Sequence, residues 1–261
     1  TDKVISLVDA CSEMATKILQ PNINMSGFNF ISVNKKTILY GLGAIKGVGI
    51  NAVKHIIDER ESNGEFKNIF DFCERVSLNS VNIGTLDALI YSGSFDVFKE
   101  NRLTMKKILG KAMLYGQQKQ NSKTTGQQEL FENKSESFSV GHDNVNLALK
   151  VDNTIDNRLR SLSLEKKVIG FYLSGHPIKE YQEEITSMSI KSIASYFDKL
   201  HSADIDDDFS EHGTVSGVIT NIRSQRMGKD RFINILSVDD STHRLEIILF
   251  SDVYEKYRNL I

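Results

Sequence analysis

The sequence predicts a mainly α-helical chain that closes in a short all-β region, on three observations. Apolar residues recur every three or four positions over most of the first 200 residues, the period of helices with one buried face. A Gly-x-Gly turn, Gly47-Val48-Gly49, sits between two such patterns. From Val215 onward the pattern switches to alternation, punctuated by Gly228-Lys229-Asp230 and Asp239-Asp240-Ser241, the mark of strands joined by tight turns.

In chain order, residues 2–19 carry Val4, Ile5, Leu7, Val8, Cys11, Met14, Ala15, Ile18 and Leu19. This spacing predicts an amphipathic helix that Pro21 ends. Phe28 to Val33 and Thr37 to Tyr40 flank Asn34-Lys35-Lys36 and predict a hairpin. After the glycine turn, Val53, Ile56 and Ile57 predict a helix stopping near Ser62-Asn63-Gly64. Ile69 to Val76 and Ile83 to Tyr91 predict two shorter helices. From Gln117 to about Thr154 the chain is rich in Gln, Asn, Ser and Lys and predicts a linker. Helical periodicity restarts at Leu159 and runs through Val168 and Ile169 towards Gly175-His176-Pro177, followed by helices from Tyr181 to Met188 and Ile190 to Leu200. Asp204, Asp206, Asp207 and Asp208 mark an acidic boundary. Beyond it lie strands from Val215, from Phe232 to Val238 and from Leu245 to Phe250, then a helix over Asp252 to Leu260 with Ser251 as its cap. Three strands and a helix match the first part of an OB-fold, a five-stranded barrel, so an open sheet edge is expected.

The glycine turn carries the sharpest chemistry. Glycine allows a tight turn and lets a phosphate approach peptide N–H groups closely. The helix that follows adds unpaired donors and the positive end of its dipole. Val48 would plug the turn into the core, and Lys46 stands at its mouth. This is the pattern of a helix-hairpin-helix, which grips the DNA backbone without reading sequence; an ordinary loop-to-helix turn is the alternative. Asn51 and Lys54, in the first turns of the helix, complete the local candidate set of Lys46, Gly47, Val48, Gly49, Asn51 and Lys54. Val81 to Ile90 reads as a second, degenerate copy without basic residues near Ile83-Gly84, expected to pack rather than bind. Downstream, Arg102, Lys106 and Lys107 share one helical face in a run containing a single acid, Glu100. They are candidates for tracking phosphates, against the alternative of a solvated helix face.

Composition bounds the rest. The chain has 261 residues, a net charge of −2, 40% hydrophobic and 25% charged residues. That describes a globular protein of more than one domain and excludes a uniformly basic nucleic-acid binder, so DNA contacts must be local. Cys11 and Cys73 are too few for a disulfide framework and lack metal-ligand spacing, which points to a reducing cytoplasm. No apolar run approaches membrane-spanning length, and no signal peptide opens the chain.

Four ordered motifs carry a family resemblance. Tyr40-Gly41-Leu42-Gly43-Ala44-Ile45-Lys46-Gly47-Val48-Gly49 is followed by Phe66-Lys67-Asn68-Ile69-Phe70-Asp71-Phe72-Cys73. Leu86-Asp87-Ala88-Leu89-Ile90 with Gly93-Ser94-Phe95-Asp96, and Gly170-Phe171-Tyr172-Leu173-Ser174-Gly175-His176-Pro177, complete the set. Together they resemble the bacterial replicative DNA polymerase III alpha subunit, along essentially the whole chain. The resemblance implies a piece of a longer polymerase, which a first residue of Thr1 fits. It implies four regions: residues 1–116, the end of the fingers with the helix-hairpin-helix; 117–154, a flexible linker; 155–208, a helical connection; and 209–261, the N-terminal part of an OB-fold. The parent reaction it implies is template-directed nucleotide transfer with magnesium, performed by a palm preceding Thr1. Within this segment no catalytic residue, metal or cofactor is expected. Other replisome subunits are implied partners, and no membrane.

Two further stretches carry candidate sites. Gln127-Gln128-Glu129-Leu130-Phe131 breaks the polar linker with two apolar anchors. Gln-x-x-Leu-Phe is the pattern with which bacterial polymerases hold the sliding clamp: Leu130 and Phe131 would bury in a pocket and Gln127 would hydrogen-bond beside it. Arg223, Arg226, Lys229 and Arg231 surround the turn between the first two strands, where OB-folds contact single-stranded DNA; a solvated hairpin tip is the alternative. Asp239-Asp240 reads as a strand-ending turn rather than a magnesium site, and His176 and His55 as structural. A repair or ligase-type enzyme combining the same modules, and a free-standing DNA-binding scaffold, are the rival readings.

Overall fold

A computed structural model describes residues 8, 10, 11, 14–125, 154–202, 212–227 and 231–261. The chain divides into two compact units, Thr1–Ser174 and Gly175–Ile261. The expected class holds: mainly α with a helix-hairpin-helix region, then a three-stranded antiparallel sheet consistent with part of an OB-fold.

The first unit opens differently from the expected helix over 2–19. Residues 8, 10 and 11 are helical, but Ala15 turns at φ 51° and Lys17–Leu19 (β1) is a strand. It pairs in parallel with Thr37–Leu39 (β3), whose other neighbour is the antiparallel strand Ile31–Asn34 (β2). The apolar spacing of Ile18 and Leu19 suits a helix face, yet β3 offers these residues backbone partners, and tertiary pairing overrides local periodicity. The hairpin from β2 to β3 is as expected.

Four helices build the core of this unit: Ile50–Asn63 (α1), Ile69–Arg75 (α2), Ile83–Tyr91 (α3) and Arg102–Thr125 (α4). Asn68 caps α2 by accepting from the Phe70 and Asp71 amides, and Asn82 caps α3 through Thr85. Phe66, Phe72, Phe95 and Phe98 form a chain of ring contacts at 4.7, 5.0 and 5.4 Å between centroids, favourable beyond their burial alone. Arg75 fixes the α1–α2 junction by donating to Glu59 and Asp71 and to the Gly64 and Glu65 carbonyls, and its guanidinium lies 4.5 Å from the Phe66 ring centroid.

The fourth helix runs nine residues further than the polar composition from Gln117 onward suggests. Gln120 explains part of this: its side-chain amide donates to the Cys73, Glu74 and Val76 carbonyls at 3.0, 3.2 and 2.8 Å. It thereby satisfies the C-terminal carbonyls of α2, and a polar residue holds the helix to its neighbour. Gly116 permits the approach, since a Cβ there would stand 2.2 Å from the Cys73 oxygen. The linker expected from 117 therefore begins no earlier than residue 126.

Ile155–Ile169 (α5), expected in a separate connecting region, packs in the first unit; Ile169 and Phe171 join its core. It stops at Gly170 (φ 105°), earlier than the expected Gly175.

The second unit holds Gln182–Ser187 (α6), Ile193–Ser202 (α7), the strands Val218–Met227 (β4), Arg231–Asp239 (β5) and Arg244–Phe250 (β6), and Ser251–Tyr257 (α8). Its sheet order is β4-β5-β6, with β4 and β6 at the edges among the described residues. Leu236, Val238, Leu245, Ile247 and Leu249 pack with Ile193 and Phe197 of α7. Ser251 does not cap α8 as expected: its hydroxyl donates to the Phe232 carbonyl at 2.6 Å, and Phe250 holds the cap position.

Candidate nucleic-acid interface

The hairpin begins with a single 3-10 turn, Leu42–Ala44, whose Leu42 is fully buried. Tyr40 underlies it: the phenol donates to the Ala44 carbonyl at 3.4 Å, and burial pushes its pKa up to about 12. Ile45 and Val48 are buried, and the Val48 amide donates to Ile45 at 3.2 Å, closing the turn. Val48 is thus the plug the sequence predicts, worth roughly 1.5–3 kcal/mol of burial.

The two glycines have different reasons to be there. Gly47 adopts φ 91°, open to few L residues, and a Cβ on it would meet Ala88 Cβ at 3.5 Å. Gly49 adopts φ −81° and ψ 158°, where any residue fits, and a Cβ there would meet nothing within 4 Å. No fold constraint demands a glycine at 49; its missing side chain keeps the surface open beside the helix N-terminus. Gly49 offers no side-chain cap to α1, so the first amides of the helix keep their donors directed outward.

Lys46, Gly47, Gly49, Asn51 and Lys54 are all exposed, with Ile50 66% exposed among them. The structure therefore brings the hairpin candidates onto one local surface and buries only Val48. Two elements far along the chain hold that surface in place. The Thr85 hydroxyl donates to the Gly47 carbonyl at 3.3 Å, and the Lys46 amide donates to the Val168 carbonyl at 2.9 Å. Sequence reasoning missed both; Thr85, a polar residue inside an apolar helix, was the available signal that a partner exists. The second hairpin packs against the first through this contact, while Ile83 is 54% exposed.

Arg102 requires a correction as a phosphate-tracking residue. Its side chain is only 10% exposed and forks between Asp96 (2.6 Å) and the fully buried Glu165 (2.7 Å), with a further bond to the Tyr91 carbonyl at 3.2 Å. Burial lowers the guanidinium pKa, but the two carboxylates outweigh it and drive it further up. The other oxygen of Glu165 accepts the Leu173 and Ser174 amides at 2.6 and 2.8 Å. Arg102 is thus spent inside the unit. Lys106 is half-exposed and paired with Asp87 at 2.5 Å, and Lys107 is exposed.

In the second unit, Arg223 is exposed and bonded to Glu246 at 2.8 Å, and Arg226 stands 6.0 Å from the Phe232 ring centroid. The backbone of Arg231 pairs with Met227. Lys229 lies outside the described residues, as do Gln127, Leu130 and Phe131.

Asp239 and Asp240 form a structural turn, as expected. Asp239 bonds Arg244 at 2.9 Å and lies 3.3 Å from His176 Nε2; Asp240 accepts from the Ile193, Thr242 and His243 amides. Burial raises the pKa of Asp239, and the bonds from His176 and Arg244 overcome this and hold it well below the usual carboxylate range. With their oxygens so occupied, these carboxylates do not fit a magnesium site, and no group of three or more His, Cys, Asp or Glu side chains converges among the described residues. His176 caps the 3-10 turn Pro177–Tyr181, its Nδ1 accepting from Ile178. Cys11 and Cys73 are free, and burial pushes the Cys73 thiol up to about 12. No helix among the described residues is long and apolar enough to cross a membrane.

A family described as a helix-hairpin-helix motif matches residues 15–105. Over its whole length the chain is similar to one segment of the DNA polymerase III subunit alpha. It is 34% identical over 261 residues to that subunit from Buchnera aphidicola (subsp. Schizaphis graminum), covering 100% of this chain and 22% of the relative. The subunits from Escherichia coli K12 and Pseudomonas aeruginosa are each 31% identical, over 273 and 281 aligned residues, again covering 100% of this chain and 22% of theirs. The chain thus spans about a fifth of the length of the curated relatives it matches.

Proposed function

We propose that this chain is the part of a cytoplasmic replicative DNA polymerase that holds duplex product and attaches the enzyme to its sliding clamp. The parent activity would be template-directed nucleotidyl transfer, with magnesium held by residues other than these, alongside other replisome subunits. The observation that carries the duplex-binding reading is the Lys46-Gly47-Val48-Gly49 turn, exposed except for Val48, open at Gly49 and followed by the uncapped N-terminus of α1. Backbone amides presented this way suit phosphate oxygens and carry no base information. Clamp attachment rests on Gln127, Leu130 and Phe131 and on the similarity to polymerase subunits. Single-strand contact by Arg223, Arg226, Lys229 and Arg231 remains part of the reading, with Arg223 having to exchange Glu246 for a phosphate.

Fluorescence anisotropy with labelled duplexes tests the central element. Two duplexes of unrelated sequence should bind with equal affinity, and Gly49→Val should weaken both at least tenfold without lowering the melting temperature. Undiminished binding by this variant would refute the hairpin reading.

A further inference from the structure

We propose that the exposed face of α5, formed by Arg160, Ser163 and Lys167, is a second duplex-DNA contact that continues the hairpin surface along the phosphate backbone. The proposal rests on the hairpin reading above and extends it to a helix that no motif marks.

Position comes first. The hairpin and α5 are joined directly, because the Lys46 amide donates to the Val168 carbonyl in the last turn of α5. Lys167 is therefore the neighbour of the residue on which the hairpin mouth is seated. Arg160, Ser163 and Lys167 are exposed, while Glu165 and Ile169 on the other side are buried. Residues seven apart on a helix differ by only about 20° in direction, so Arg160 and Lys167 share one line. Their separation along the axis is about 10 Å at 1.5 Å per residue. Successive phosphates of one strand rise about 3.4 Å along the axis. The long Arg160 and Lys167 side chains can thus reach neighbouring phosphates of one strand, with the Ser163 hydroxyl between them as a further donor.

Charge agrees with this occupant. The acids of α5 are Asp156 and Glu165. Glu165 is turned inward and neutralised by Arg102, so it subtracts nothing from the outer face. Asp156, four residues before Arg160, shares its flank of the helix and offsets part of its charge, leaving Lys167 two turns further on without an acid beside it on that face. Lys166 packs over the Tyr172 ring at 5.1 Å and is not counted. Complementing the negative end of the helix dipole would account for Lys167 in the last turn. It does not account for Arg160, two turns earlier, where the dipole effect has faded.

The test is the salt dependence of duplex binding by the whole chain, since each phosphate neutralised contributes about 0.9 to the slope of log K against log salt. Arg160→Gln/Lys167→Gln should make the slope shallower by about 2, and Lys167→Gln alone by about 1. Lys46→Gln reports on the hairpin and should also change it by about 1. Lys35→Gln/Lys36→Gln, at the β2–β3 turn, removes the same charge and should leave the slope unchanged. If Lys46→Gln changes the slope and the α5 variants do not, the α5 contact is wrong and the hairpin reading stands. If neither changes it, this inference falls, and Gly49→Val alone then decides whether the hairpin amides hold duplex. An equal change in the β2–β3 control would overturn the α5 contact in favour of diffuse attraction. Circular dichroism should show unaltered helix content and melting in every variant.

Discussion

At Gly47 the backbone sits at φ 91°, where adding a Cβ costs about 1–2 kcal/mol; at Gly49 it sits at φ −81°, with open space where a Cβ would be. Gly47→Ala should therefore lower the free energy of unfolding by about that amount, measured in urea, while Gly49→Ala should leave it unchanged. The sequence made both glycines visible but gave them one role, because φ is a property of the folded turn. Arg102 shows the opposite limit. It stood in a basic run, yet its partner Glu165 lies 63 positions on, and no local spacing reveals such a pair. Arg102→Met strands Glu165 as a buried unpaired charge and should cost about 3–5 kcal/mol in chemical denaturation, whereas Lys107→Ala should change stability by less than about 0.5 kcal/mol.

Elements with a strong period bounded by turn residues were legible: α1, α2, α3 and the three strands of the second unit lie where the pattern put them. Those stabilised by distant partners were not. Lys17–Leu19 is a strand because β3 receives it, and α4 continues to Thr125 partly because Gln120 serves the Cys73 and Glu74 carbonyls of α2 and that of Val76 just beyond it. The β5–β6 turn makes an acid-sensitive element of the second unit. Asp239 has a depressed pKa in the fold, so its contribution is complete above the unfolded value of roughly 3.9 and declines as pH falls through and below it. Asp239→Asn should remove this dependence, flattening the fall in stability of the second unit between about pH 5 and pH 2. Heat or urea unfolding followed across that range is the measurement; an unchanged acid limb would contradict the assignment.

For the molecule as a whole, a net charge of −2 means that affinity for DNA must come from where cations are placed, not from how many there are. Domain organisation was only partly legible. The break expected at 154 lies instead after Ser174, because α5 returns to the first unit through Glu165, Val168 and Phe171. The segment between Thr125 and Thr154 is therefore flanked on both sides by helices of one unit. A clamp-binding peptide there would be tethered at both ends to that unit, which would raise its effective concentration at a clamp on the same DNA. Burial of Leu130 and Phe131 would contribute roughly 1.5–3 kcal/mol each, less a few for ordering, well short of the about 8 kcal/mol of micromolar binding, so the isolated peptide should bind weakly. Leu130→Ala/Phe131→Ala should abolish the heat of binding to the purified clamp ring in calorimetry while leaving the melting temperature unchanged. Amide hydrogen exchange of the chain with and without a saturating duplex reads the hairpin amides themselves. Exchange should slow at Gly49, Ile50 and Asn51 with any duplex sequence; unchanged exchange there, with protection only at other segments, would refute the holding of duplex DNA by these amides.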